Sequence, residues 1–381
     1  MTAFSRADDS LLARWWWTVD RWMLLLIGLL FGTGLILSFS ASTAMADRLG
    51  APDFYFTVRQ GLYILVSAGV MLGISLLPVA TARRVAILVL PVALLLTLLT
   101  LAAGSQYQGA SRWLSLGGVS LQPSEILKPA FIVVSAWLIS LGMQGRAFPG
   151  HQLALVTYGL CAVALILQPD YGQTFLLGMV LGLQFLISGL SLVWIGGLVL
   201  AGLVTFTLAY LYVPHVHARV AAFLDPAAHD TYQIDRALEA FRHGGLIGAG
   251  PGEGVVKQHL PDAHSDFIFA LAGEEFGSIA CLGIVAVFSV IVLRGLMRVS
   301  RADSPFVVLA VGGLLSLFGL QALINMATSL MLIPPKGMTL PFISYGGSSM
   351  LGFGLAMGLV LALTRGLDID QRLPAGRWRW A

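Results

Sequence analysis

Charge is what this chain of 381 residues has least of: lysine, arginine, aspartate and glutamate together make up 11%, against 57% hydrophobic residues. Soluble domains carry about 25% charged residues, so the shortage excludes a soluble globular protein and leaves a polytopic membrane protein. Cysteine is nearly absent. Cys161 and Cys281 lie in separate apolar runs, which excludes a disulfide framework and reads most simply as packing. The net charge of +3 is too small to suggest a nucleic-acid partner. Asparagine occurs once, at Asn325 inside an apolar run, either as a helix-to-helix hydrogen-bond partner or as a ligand contact. A small-residue cleavage site is missing from the end of the first apolar run, so that run is expected to remain as a span.

What the chain has in abundance is uncharged sequence. The charge-free runs are 22–46, 60–82, 85–111, 129–145, 147–169, 171–218, 276–293, 304–335 and 337–364. A span needs about 20 apolar residues, so eight runs hold one helix each. The run 171–218 holds two, with Ser188-Gly189-Leu190-Ser191 as the turn between them. The expected fold is therefore all-α, with ten transmembrane helices and a large loop, 213–265, between helices 7 and 8. Positive residues are retained on the cytoplasmic side. The termini and the loops on their side carry Arg6, Arg14, Arg21, Arg83, Arg84, Arg146, Arg294, Arg298, Arg301, Arg365, Arg372, Arg377 and Arg379, which is 13 of the 22 basic residues. The expected organisation is a cytoplasmic segment 1–21, a membrane domain 22–365 and a cytoplasmic tail 366–381. Trp15, Trp16, Trp17 and Trp22 suit an interfacial aromatic belt.

The opposite face then receives every long polar cluster. In the loop, Ile234, Ala237, Leu238 and Phe241 alternate with Asp235, Arg236, Glu239 and Arg242 at helical spacing, which predicts an amphipathic helix lying on the membrane surface. The glycine-rich stretch 244–254 follows no strand and sits in no βαβ unit, so it is not a nucleotide loop. It reads as a flexible or tightly turning connection able to move over a site.

Three stretches could carry chemistry. In 259–277 four carboxylates and two histidines crowd the entrance to an apolar run, with Asp266 where water gives way to hydrocarbon. Such a charge is costly to desolvate and marks a functional site unless it simply faces headgroup water. In 109–128, Arg112 and Trp113 lie in a re-entrant or interfacial excursion, and Pro123-Ser124 starts a helix with Glu125 one turn in. Glu125 and Lys128, three apart, face the same way. They form either an ion pair that lets two charges sit near lipid or, with Arg112, the lining of a cavity for a diphosphate-like anion. In 334–349, proline, glycine and hydroxyl residues are too frequent for plain helix. Irregular backbone at membrane depth is tolerated only when buried in protein or lining a wet cavity, which makes Lys336 and 344–349 candidate cavity residues.

These stretches carry a resemblance. Gly109-Ala110-Ser111-Arg112-Trp113, Gln122 to Lys128, Gln168-Pro169-Asp170-Tyr171-Gly172, Tyr232-Gln233, His264 to Phe269, Gly273 to Gly277 and Pro341 to Ser349 are similar, in order, to the SEDS family (shape, elongation, division, sporulation). Gly273-Glu274-Glu275 and Pro335-Lys336-Gly337 look more like the division member than the elongation member, although Pro335 departs from the usual threonine.

The resemblance implies a ten-helix peptidoglycan glycosyltransferase that polymerises lipid II outside the bacterial cytoplasmic (inner) membrane, at the septum. Its expected partners are a class B penicillin-binding protein and other division membrane proteins. The family's essential acidic residue maps onto Asp266, which would take the proton of the attacking sugar hydroxyl as general base. Arg112, Trp113, Gln122, Glu125, Lys128, Tyr232, Gln233, His264, Lys336, Ser344 and Tyr345 become the candidate substrate residues. A divalent cation, magnesium or manganese, is left open as a cofactor. The competing class is a lipid II flippase, which would distribute polar groups across the bilayer depth instead of gathering them at one end.

Overall fold

The computed structural model describes residues 10–367, apart from 50, 51, 53, 108, 109, 117, 118, 146, 147, 226–231, 335 and 366. Arg6, Gly109, Arg146, Pro335 and the tail with Arg372, Arg377 and Arg379 lie outside the described residues. The chain runs through α1 (Leu11–Thr18), α2 (Arg21–Leu49), α3 (Tyr55–Ser75), α4 (Val79–Ala103), β1 (Ser105–Tyr107), β2 (Ala110–Leu116), β3 (Val119–Leu121), α5 (Pro123–Met143), α6 (Gly150–Leu167) and α7 (Tyr171–Ile187). It continues with α8 (Leu192–Tyr212), α9 (Pro214–Leu224), α10 (Tyr232–Gly244), a 3₁₀ turn (Val256–Gln258), α11 (Ile268–Val299), α12 (Pro305–Ser329) and α13 (Gly347–Thr364). Among the described residues, eight helices are long and apolar enough to cross a membrane, or nine if α8 and α9 form one bent span. The protein is a mostly helical, polytopic membrane protein.

Burial sorts the helices. The most apolar window of α13 is 89% buried and those of α5 and α12 are 67% buried, against 17% for α3. The first three therefore form the centre, and α3 shows its side chains, such as Leu62 and Leu65, to the surroundings. A broad belt of exposed leucine is an aggregation liability in water and an ordinary surface in lipid. Because lipid supplies no hydrophobic drive between helices, close approach depends on small residues. On α13, a Cβ at Gly352 would stand 2.5 Å from the Glu125 carbonyl oxygen of α5, and one at Gly354 would stand 2.6 Å from Ser67 Oγ of α3.

Two features depart from the expected all-α layout. The segment around Arg112 is a three-stranded antiparallel sheet in the order β1-β2-β3. Gln122 then ends the sheet and Pro123 opens α5 at a position where its missing N–H costs nothing. The amphipathic helix α10 lies on protein. Its small residues Ala237 and Ala240, with Phe241, pack on Val256, Leu260, Ala263, Phe267 and Ala270 in a second, smaller core. The ring of Phe241 fills the space that a side chain at Gly273 would occupy.

Candidate active site

The stretch opened by His259 is built around an interrupted helix. Gly277 has φ 77° and ψ 176° inside α11, a conformation that only glycine adopts without strain. The break strands the carbonyls of Glu274 and Glu275, and the glycine-rich stretch supplies the missing donors: Ala249 N donates to Glu274 O (2.9 Å) and Gly250 N to Glu275 O (3.1 Å). In return Gly245 O accepts from Ser278 N (3.0 Å) and Leu246 O from Ile279 N (3.3 Å). The glycines thus splice the helix, and their small size lets the two backbones touch.

The side chains of both glutamates are consumed by the same connection. Glu274 accepts from the backbone N–H groups of Val256 (2.7 Å) and Lys257 (2.9 Å), and His243 Nδ1 lies 3.2 Å from it. Glu275 is paired with the buried Lys257 ammonium at 2.5 Å and hydrogen-bonds Ser40 of α2. These carboxylates hold the loop in place.

Asp266 stands at the head of this half-helix. The Asp262 carbonyl accepts from the N–H groups of Ser265 (3.0 Å), Asp266 (3.1 Å) and Phe267 (3.3 Å), so one carbonyl gathers the turn that leads into the helix. Residues 338–345 are laid against it. Asn325 Nδ2 donates to both Asp266 O (2.8 Å) and Met338 O (2.6 Å), while Ser344 Oγ donates to Ser265 O (2.5 Å) and accepts from Leu340 N (2.7 Å). Tyr345 N donates to His264 O (2.9 Å). Gly337, at φ 58°, fits beside the carboxylate, since a Cβ there would stand 3.2 Å from Asp266 Oδ2.

An aromatic and basic cluster adjoins it. The Tyr345 ring contacts His264, Phe56 and Tyr63 with centroids 5.3, 5.3 and 5.7 Å apart. Its hydroxyl shares hydrogen bonds with Tyr63 and Arg59, and burial pushes its pKa above the ordinary value. Burial lowers the His264 pKa, with Asp262 pulling the other way, and lowers that of Lys336. His264 is therefore held toward the neutral form. The Lys336 ammonium lies 4.9 Å from the Phe175 ring at the start of α7.

The other candidates have partners of their own. Lys128 is 1% exposed, and its ammonium donates to Glu125 and to Gln321 Oε1, both at 2.9 Å. Gln173 Nε2 donates to Glu125 at 3.1 Å, and Gln321 Nε2 to Thr339 O at 3.1 Å. Arg112 donates to the carbonyls of Gln168 (3.1 Å) and Pro169, tying β2 to the α6–α7 turn. Trp113 is half-buried in the same strand, and Gln122 donates its N–H to Ser348 Oγ (2.8 Å). Tyr232 and Gln233 are exposed on the first turn of α10. Arg59, Gln173 and Gln321 escaped the reading of the sequence; the available signal was a polar side chain inside a charge-free run for the two glutamines and at the border of one for Arg59. Among the described residues no group of three His, Cys, Asp or Glu side chains is placed to hold a metal ion.

Known proteins are similar to this chain in sequence and in fold. The family described as cell cycle protein, named for FtsW, RodA and SpoVE, matches residues 21–368. A probable peptidoglycan glycosyltransferase FtsW of Caulobacter vibrioides is 45% identical over 367 residues, covering 95% of this chain and 93% of that protein. A probable peptidoglycan glycosyltransferase FtsW of Halomonas elongata is 36% identical, covering 93% and 91%. In fold, the chain is similar to a chain of a peptidoglycan synthase complex that coordinates polymerization and crosslinking, with TM-score 0.75, 22% identity and coverage of 92% and 98%. It is also similar to the rod shape determining protein RodA of Thermus thermophilus, with TM-score 0.69, 22% identity and the same coverage.

Proposed function

The chain belongs to the FtsW, RodA and SpoVE family of cell cycle proteins, and from that membership we propose that it is a peptidoglycan glycosyltransferase of the FtsW kind, polymerising lipid II at the outer face of the cytoplasmic membrane during septal wall synthesis. Asp266 acts as general base. The attacking sugar hydroxyl gives its proton to the carboxylate as the new bond forms at the donor's anomeric carbon. The α-linked lipid diphosphate leaves with the bonding electrons, and inversion produces a β-1,4 linkage. The observation that carries this reading is the placement of the Asp266 carboxylate, half-buried before a helix start on a backbone pinned at both its N–H and its carbonyl, and bounded by Gly337. A base within hydrogen-bond reach of its proton contributes about 10²–10⁴-fold.

Lys336 and Arg59 are the cations for the departing diphosphate, because they adjoin Asp266 and Tyr345, whereas the Lys128 ammonium is turned to Glu125 and Gln321 and Arg112 to the carbonyls of Gln168 and Pro169. His264 and Tyr345 shape the pocket wall beside them, and Tyr232 and Gln233 meet substrate from α10. Transport is the weaker reading, since the deep polar side chain Gln184 is closed by bonds to Ser135, Ile132 O and Leu309 O.

Ten spans result when α7 and α8 are added to the eight long helices, with both termini cytoplasmic. The transpeptidase partner is a class B penicillin-binding protein, supported by the fold's likeness to a subunit of a synthase that couples polymerization with crosslinking. The test uses purified protein with its cognate penicillin-binding protein and labelled lipid II. Asp266→Asn keeps the volume and removes the base, so moenomycin-resistant polymer should fall by at least about 100-fold while the complex stays intact. Polymer formed near the wild-type rate would overturn the assignment.

A further inference from the structure

The backbone of Asp266 is held on both sides of its Cα. Both peptide planes flanking it are pinned: its N–H donates to Asp262 O (3.1 Å), and its carbonyl accepts from Asn325 Nδ2 (2.8 Å). The second hydrogen of the same amide goes to Met338 O (2.6 Å), one residue beyond Gly337, whose backbone flanks the carboxylate. Because both partners are carbonyls, the orientation of the Asn325 amide is set: Nδ2 must be the group that faces them. Asn325 is 2% exposed, and its Oδ1 has no hydrogen-bond partner. A buried acceptor left open is costly, so the two donated bonds must be worth more than it loses. Four residues earlier on the same helix, Gln321 bonds Thr339 O (3.1 Å). One face of α12 therefore grips residues 338–339 twice and Asp266 once.

We propose that Asn325 is a positioning residue for glycosyl transfer: its amide clamps the Asp266 backbone to residues 337–338 and so sets the distance between the carboxylate and the substrate hydroxyl. This rests on the reading of Asp266 as the base. The side chain of Asp266 has only two torsions beyond its backbone, so fixing both flanking planes leaves a small arc for the carboxylate. Loss of the clamp frees the peptide plane and displaces Oδ2 by a fraction of the hydrogen-bond length. The substrate still binds, because its sugars and diphosphate are met by other residues, but the reacting pair is misaligned.

The test compares wild type, Asn325→Asp, Asn325→Gln, Gly337→Ala and Asp266→Asn, each in complex with the penicillin-binding protein and titrated with labelled lipid II. Asn325→Asp keeps the volume and replaces the two donors with acceptors that oppose the carbonyls. Misplacement on this scale costs about 100-fold, so kcat should fall by that order while KM stays within about twofold, the pattern of an interaction felt only in the transition state. Asn325→Gln, which retains the two-donor amide, should recover at least about tenfold of that loss. Gly337→Ala approaches the same carboxylate from the other side and should lower kcat in the same way. If Asn325→Asp does not fold, Gly337→Ala decides alone. Unchanged kcat in the folded variants, or a raised KM with kcat kept, overturns the positioning role while Asp266→Asn remains inactive. Activity in Asp266→Asn instead removes the base on which the proposal stands, whatever the Asn325 variants do.

Discussion

At the residue scale, Lys128 and Glu125 show how a charge is tolerated at membrane depth. The ammonium has Glu125, Gln321 and the face of Phe353 around it, the last at 5.6 Å from the ring centre. Removing one member of a buried pair leaves an uncompensated charge, which costs about 3–5 kcal/mol, whereas removing both can be nearly neutral. Glu125→Gln and Lys128→Met are each expected to lower the melting temperature in detergent, and the double variant to recover much of the loss. Additive losses in a thermal unfolding cycle would mean that the two charges do not rely on each other.

At the element scale, the glycine-rich stretch is a splice that completes α11. The expected mobile cover conflicts with four backbone hydrogen bonds between 245–250 and 274–279. Hydrogen exchange should accordingly be slow at Ala249 and Gly250, whose amides are bonded, and faster at exposed Gly252. Equal, fast exchange at all three would show that the splice opens readily. Gly277→Ala tests the same joint. Its φ of 77° strains any L side chain, and the new Cβ would collide with Leu246 O and stand 2.5 Å from Gly248 N. The expected result is lost folded protein, visible as a lower yield of monodisperse material than Gly283→Ala, where no atom lies within 4 Å.

At the scale of the whole molecule, the charges separate to two ends. One end joins Asp20, before α2, to Arg294 (2.8 Å) and Arg298 (3.1 Å) of α11, and Arg365 to the carbonyls of Ser75 and Leu76. Burial opposes ionisation of Asp20, yet the two arginines and the Met23 N–H hold its carboxyl below the ordinary range. The other end holds Asp266, His264, Arg59 and Lys336. Retention of arginine on the cytoplasmic side predicts that the Asp20 end is inside. In intact cells, a membrane-impermeant thiol reagent should label Glu253→Cys, and should label Arg301→Cys only after permeabilisation. Cys161 and Cys281 are buried and should stay silent. Reversed labelling would invert the topology and place Asp266 away from the extracellular substrate.

Membrane class, the approximate spans and the polar stretches were legible in the sequence, because apolar length and charge scarcity are one-dimensional quantities. His264, Asp266, Ser344 and Tyr345 could be named as candidates, since polar residues beside hydrocarbon stand out. Which of them meet was decided only in three dimensions. Nothing local links Asn325 to Asp266, 59 residues away, or Arg59 to Tyr345. The uses of Lys128 and Arg112 were likewise undetermined, because a buried cation can serve a ligand, a carboxylate or a carbonyl, and only the packing of α5, α7 and α12 chooses among them. Glycine spacing in 244–254 announced unusual backbone but could not say whether it moves or splices. That depended on the break at Gly277, whose stranded carbonyls on Glu274 and Glu275 created the partner for it.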